Sequence, residues 1–220
     1  MDKKSNMFVD AIILCVITLI LGAVLAGVYT ITKKPIEDAQ KKTNNEACAV
    51  VVSQEDKVKD NDDKAVSGAA AYLKGHDLAN AEVKKEQGGD LLSEYVEIEE
   101  VHPTEKGGKV YLASALKGYG GKISFARGVD AEGAITGIQI TSQSETAGLG
   151  ANCENDDFKG RFKGVRAPET TSAEMYNKNE TNETQVQALS GATVTSRAIT
   201  RAVKGILFYD ASGKEAALYE

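Results

Sequence analysis

Tryptophan is absent from this chain, and histidine occurs only at His76 and His102. The three cysteines, Cys15, Cys48 and Cys153, stand far apart, and no His/Cys spacing here would build a metal site. No metal ligands are therefore expected. A basic excess is missing as well. Lysine and arginine number 26 against 32 acidic residues, the net charge is −6, and no basic stripe occurs. That balance argues against nucleic acid as a partner. What remains is a 220-residue chain with 42% hydrophobic content, enough for one good-sized domain plus an appendage.

Charge is also missing from residues 11–32, a 22-residue run dominated by Ile, Leu, Val and Ala. At 1.5 Å per residue, a helix of that length matches a bilayer core of roughly 30 Å. A cleaved signal peptide is the competing reading, with Lys3 and Lys4 as its basic start. The run exceeds the usual ~7–15-residue apolar stretch of such peptides, which favours a retained transmembrane helix. Four lysines (Lys33, Lys34, Lys41, Lys42) follow the span, against two before it. On charge alone the domain after the span leans towards the cytoplasm. Cys15 lies in the span, and Cys48 and Cys153 are read as free thiols rather than as a disulfide.

The organisation expected is a tail at 1–10, a membrane helix at 11–32, a helical stalk and variable region at 33–90, and a folded domain at 91–220. Helix formers over 36–52 continue the first helix. A charged turn follows at Asp60-Asn61-Asp62-Asp63, then an Ala-rich helix over 67–81 interrupted at Gly75, and a loop at 87–90. From Tyr95 the texture changes to short apolar runs cut by glycines. Strands are expected over 110–116, 122–129 and 134–141, with a hairpin turn at 130–133 and a bulge near Gly137. A short helix over 156–163 and a long polar loop over 167–185 come next. The final helix spans 195–209, where Ala198, Ala202 and Ile206, and Ile199, Val203 and Leu207, recur at helical spacing. An antiparallel sheet packed by helices follows from this order.

One stretch carries chemistry. Ser190-Gly191-Ala192-Thr193-Val194-Thr195-Ser196 runs directly into the last helix. Small residues let a ligand approach the backbone, and a helix start offers unpaired N–H groups and partial positive charge to a phosphate. Read alone, the stretch is equally an N-cap. A second stretch, Glu145-Thr146-Ala147-Gly148-Leu149-Gly150, follows the hairpin. Tyr119 beside its glycine turn reads first as a strand anchor, and the two histidines as surface residues.

Together these stretches resemble the FMN-binding domain family, whose members include the G subunit of the Rnf electron-transport complex and the C subunit of the sodium-translocating NADH:quinone reductase. Ser-Gly-Ala-Thr matches the family's flavinylation motif, Gly118-Tyr119-Gly120-Gly121 its first domain strand, and Glu145–Gly150 its segment near the flavin ring. Two positions depart from the pattern. Gln187 stands where the family has Asp, and Ala147 where it has Pro. The resemblance implies an α+β fold, an N-terminal single transmembrane helix followed by an FMN-binding domain. It implies FMN carried on Thr193 through a phosphoester. Ser190, Gly191, Ala192, Thr195, Ser196, Glu145, Thr146, Gly148, Leu149 and Gly150 would form the rest of the cofactor site. It further implies electron relay in an ion-translocating ferredoxin:NAD oxidoreductase, with the other Rnf subunits as partners. Loading would be by a flavin transferase, and the domain would lie on the extracytoplasmic side of the cell membrane. The alternatives are the equivalent quinone-reductase component and a membrane-anchored module that binds a phosphorylated ligand reversibly.

Overall fold

The structure, a computed structural model, describes residues 7–52, 56–76, 91–168, 174–178 and 182–217. Two compact units divide the chain, Met1–Thr43 and Asn44–Glu220. Helix α1 (Met7–Val51) makes up the first unit and continues into the start of the second, and its part in the first unit carries the apolar run. Its side chains stay open: Ile12, Leu14, Leu19 and Leu25 are all more than half exposed. An 18-residue window reaches a mean hydropathy of 2.9, so this helix is long and apolar enough to cross a membrane. The hydroxyls of Thr18, Thr30 and Thr32 donate to the carbonyls of Cys15, Ala26 and Val28 on the same helix. No polar group of theirs is then left facing the apolar surroundings. The helix passes through Pro35 without ending.

The second unit is built on a meander of four antiparallel strands. These are β1 (Val96–Pro103), β2 (Lys109–Ala115), β3 (Ile123–Val129) and β4 (Ile135–Ser142), in spatial order β1-β2-β3-β4. The expected bulge near Gly137 is present. Gly128 pairs with Gly137 and Val129 with Ile135, leaving Thr136 unpaired. Strand β1 is an addition to the expected set, because Glu97, Glu99 and Glu100 hide its alternation. The ladder steps from Ile98–Ala113 to Glu100–Leu112, so Glu99 bulges out and Val101 turns inward in its place.

Helix α2 (Asp63–Gly75) begins four residues before the expected start. Asp62 caps it by accepting from the N–H groups of Lys64 and Ala65. The expected loop at 87–90 lies outside the described residues. A short helix α3 (Asp156–Gly160) follows the loop after β4. In the polar stretch after it, β5 (Tyr176–Asn177) pairs in parallel with β6 (Val186–Gln187). Helix α4 (Thr193–Ala217) starts two residues earlier than its apolar stripe predicts.

That stripe is what fixes α4 in space. Ala198, Ile199, Ala202, Val203, Ile206 and Leu207 are all buried against one sheet face, beside Tyr111, Ile123 and Phe125. Each fully buried Ile, Val or Leu contributes about 1.5–3 kcal/mol relative to exposure. The other sheet face, with Val110, Leu112 and Ala126, packs on Ala47, Cys48 and Val51. Cys48 and Cys153 thus lie in different clusters, on opposite faces of the sheet, and all three cysteines are free. Both sheet edges are covered. Lys59 and Asp62 donate backbone N–H bonds to Pro103 and Val101 on β1, and Ile135 on β4 exchanges two with Gly164 and Val165.

Candidate functional site

Three segments converge at the start of α4: the motif at 190–196, the loop at 143–150 and the turn at 118–121. The bond from the Ser196 N–H to the Ala192 carbonyl is the first of the helix, so the N–H groups of Thr193, Val194 and Thr195 have no partner within it. Gly191 sits at φ +74°, a backbone conformation that L side chains rarely adopt. The turn so formed is locked by Ser196, fully buried, whose hydroxyl donates to the Ala192 carbonyl and accepts from the Leu189 N–H, both at 2.9 Å.

A cleft of about 410 Å³ opens there. Tyr119, Glu145, Thr146, Leu149, Gly150, Gly191, Ala192, Thr193, Val194 and Thr195 line it. The rim is made of large apolar side chains left in the open: Tyr119 is 73% exposed, Val194 51% and Leu149 46%. Thr193 is half-buried, and among the described residues no hydrogen bond engages its hydroxyl. Tyr119 thus forms a wall of the cleft.

Thr195, by contrast, is engaged within the cleft wall. It is 2% exposed and donates its hydroxyl to Glu145 Oε2. Glu145 in turn accepts the Gly120 N–H on Oε1 at 2.8 Å. Ser196 and Gly148 do not line the cleft, and Ser190 faces a neighbouring cavity instead.

That neighbouring cavity, about 530 Å³, shares Gly191 and Thr193 with the cleft. Its walls are polar, with Arg161, Lys178, Gln187 and Ser190 among them. Thr193 therefore opens on both an apolar space and a cationic one. Neither Arg161 nor Lys178 belongs to a recognisable motif. Arg161 is held by Asp157 one turn earlier, and donates to the carbonyls of Gln187 (3.0 Å) and Ala188 (3.2 Å). It so clamps the strand that feeds the motif. The histidines are not plain surface residues. His76 stacks on Tyr72 with centroids 3.8 Å apart, and His102 meets Glu100 at 2.8 Å and the Lys59 carbonyl at 3.0 Å.

Residues 118–207 match the FMN-binding domain family. Over 204 residues the chain is 31% identical to the G subunit of the proton-translocating ferredoxin:NAD(+) oxidoreductase complex of Clostridium ljungdahlii, covering 92% of this chain and 91% of that one. The chain belongs to the FMN-binding domain family. The G subunit of the Na(+)-translocating ferredoxin:NAD(+) oxidoreductase complex of Acetobacterium woodii is 32% identical over 213 residues, 92% of this chain and 94% of that one. Among solved structures, the C subunit of the Na(+)-translocating NADH-quinone reductase from Parabacteroides distasonis is 20% identical. The match covers 51% of this chain and 61% of that one, with a TM-score of 0.40.

The residues present fit the cofactor that gives the FMN-binding domain family its description. The apolar cleft falls in the size range of small-ligand sites, and its apolar lining would suit a planar aromatic ring. Free N–H groups, an unengaged hydroxyl and two cationic side chains surround the position where one phosphate would sit.

Proposed function

We propose that this chain is a membrane-anchored flavoprotein subunit that relays electrons in an ion-translocating ferredoxin:NAD oxidoreductase complex, with FMN joined to Thr193 through a phosphoester. The observation carrying this reading is the placement of the Thr193 hydroxyl. It is partly exposed, unengaged, at the first residue of a 25-residue helix, and it borders both an apolar cleft and a cationic cavity. FMN, when bound, supplies the electron-accepting chemistry. The chain's own residues do the rest. Leu149, Val194 and Tyr119 shield the ring from water, and the start of α4 and Arg161 and Lys178 neutralise the phosphate. Of the remaining motif residues, Gly191 and Ala192 keep the backbone small beside the attachment point, and Ser190 faces the phosphate side. Glu145, Thr146, Gly148, Gly150 and Thr195 build the wall opposite or the loop that carries it.

Membrane anchorage is supported by the apolar stretch of α1. The relatives' names support other members of such a complex as partners. A flavin transferase that loads Thr193, and a domain on the extracytoplasmic side, complete the reading. The test is intact mass. Protein made with a flavin transferase should gain one FMN less a water and fluoresce in a denaturing gel, and Thr193→Ala should lose both signals. An unmodified wild-type mass defeats the covalent attachment. Protease added to intact cells should cut the domain, and full protection overturns the outward placement.

A further inference from the structure

The glycines of the two loop motifs close around a single carboxyl group. A Cβ placed on Gly118 would stand 2.7 Å from Glu145 Oε1, and one on Gly150 would stand 2.6 Å from Oε2 and 2.5 Å from the Thr195 hydroxyl oxygen. No side chain fits at either position. Glu145 itself is 8% exposed, and its two oxygens accept from the Gly120 N–H and the Thr195 hydroxyl. Two donors on two separate oxygens suit an ionised carboxylate, which only accepts. Both partners are neutral, and among the described residues no lysine, arginine or histidine forms an ion pair with it. The group therefore carries a negative charge that is solvated by dipoles but not cancelled, on the wall of the flavin cleft. Its field reaches other groups nearby. It is one of the charges that, after burial, push the Cys153 thiol up to about 12.

We infer that Glu145 is a tuning residue whose fixed negative charge lowers the reduction potential of the flavin in this cleft, and that Thr195 moderates that effect by hydrogen-bonding the carboxylate. A charge a few ångströms from an electron acceptor, in surroundings of effective dielectric about 20, shifts the oxidised-to-reduced equilibrium about tenfold or more. A negative charge disfavours the added electron. The inference rests on the proposed occupancy of the cleft by FMN.

The experiment is a spectroelectrochemical titration of the full-length, flavin-loaded protein and two loaded variants, each first weighed by intact mass. Glu145→Gln keeps the shape and removes the charge, and should favour the reduced flavin about tenfold, or about 30 mV upward for a two-electron couple. Thr195→Val keeps the charge and removes its donor, and should move the potential the other way. Opposite signs separate tuning from a general loosening of the cleft, which would move both variants alike. A Glu145→Gln shift below threefold, or downward, overturns the inference. If Glu145→Gln fails to fold or load, Thr195→Val decides: a fall supports the inference, and no change or a rise overturns it. Wild-type protein without flavin would instead defeat the proposed function.

Discussion

A Cβ on Gly191 would stand 3.1 Å from Cδ2 of Leu149, closer than ordinary van der Waals contact, so the missing side chain lets the motif before α4 pack against the loop after β4. The contact joins segments more than forty residues apart, and at φ +74° only glycine makes it without strain. Gly191→Ala therefore combines backbone strain with displacement of Leu149. The expected cost is about 1–2 kcal/mol, read as a lower urea midpoint, together with a lower flavin-to-protein ratio. Unchanged loading would show that the cleft tolerates movement of Leu149.

Much of this arrangement is visible in the sequence where it repeats locally. The stripe through Ala198, Ile199, Ala202 and Val203 announces α4, and alternation with a four-residue turn announces β3 and β4. The stripe places the start of α4 two residues late because its first turn buries nothing apolar at Thr193 or Val194. Strand β1 stays hidden because its bulge at Glu99 breaks the period of two. The motif glycines read as room for a ligand, whereas Gly118 and Gly150 leave room for Glu145. Nothing local signals that closure, because Glu145 and Thr195 are 50 residues apart. Arg161 is silent in the sequence for the same reason: its carbonyl partners lie 26 and 27 residues away.

Cys48 and Cys153 are expected to be inert in the native state. Burial, reinforced by Glu100, pushes the Cys48 thiol up to about 11. Burial, then Glu154 and Glu145, pushes Cys153 up to about 12. At pH 8 roughly one Cys48 in a thousand is then thiolate, the reactive form. In a Cys15→Ser background, a thiol reagent should label neither until urea unfolds the domain, and then both. Fast labelling of the native protein would contradict the buried placement.

Acid should weaken the domain through Asp210. This carboxylate on α4 is 3% exposed and accepts from Lys109 Nζ at 2.7 Å and the Tyr111 hydroxyl at 2.8 Å. Burial alone would raise its pKa. The hydrogen bond and charge of Lys109, the Tyr111 hydroxyl and the charge of Arg127 outweigh that and hold it below the usual carboxylate value. A folded value below the unfolded one, about 3.9, gives stabilisation that is full above that pH. It is lost as pH falls through the folded value. Asp210→Asn should cost about 1–3 kcal/mol at pH 7 and flatten the acid limb of a urea-midpoint profile. An unaltered acid limb would assign that limb to other carboxylates.

Arg127 poses the opposite case, a buried charge that the fold stabilises poorly. Its side chain on β3 is fully buried, and Nε, Nη1 and Nη2 have no hydrogen-bond partner among the described residues. Its guanidinium carbon stands 4.8 Å from the centroid of the Tyr111 ring. Burial lowers its pKa, and the influence of Tyr111 and the charge of Asp210 oppose that only in part. An unbridged guanidinium in an apolar layer costs more than its ring contact returns. An apolar side chain of similar length at this position avoids the desolvation penalty of the unbridged ion, and Asp210 keeps Lys109 and Tyr111 as partners. Arg127→Met is therefore expected to hold or raise the urea midpoint at pH 7. The same substitution removes one of the charges that keep Asp210 ionised, so the acid limb should move to higher pH. Two readouts of opposite sense separate these roles. A large loss of stability at pH 7 would mean that the guanidinium holds α4 to the sheet through Asp210.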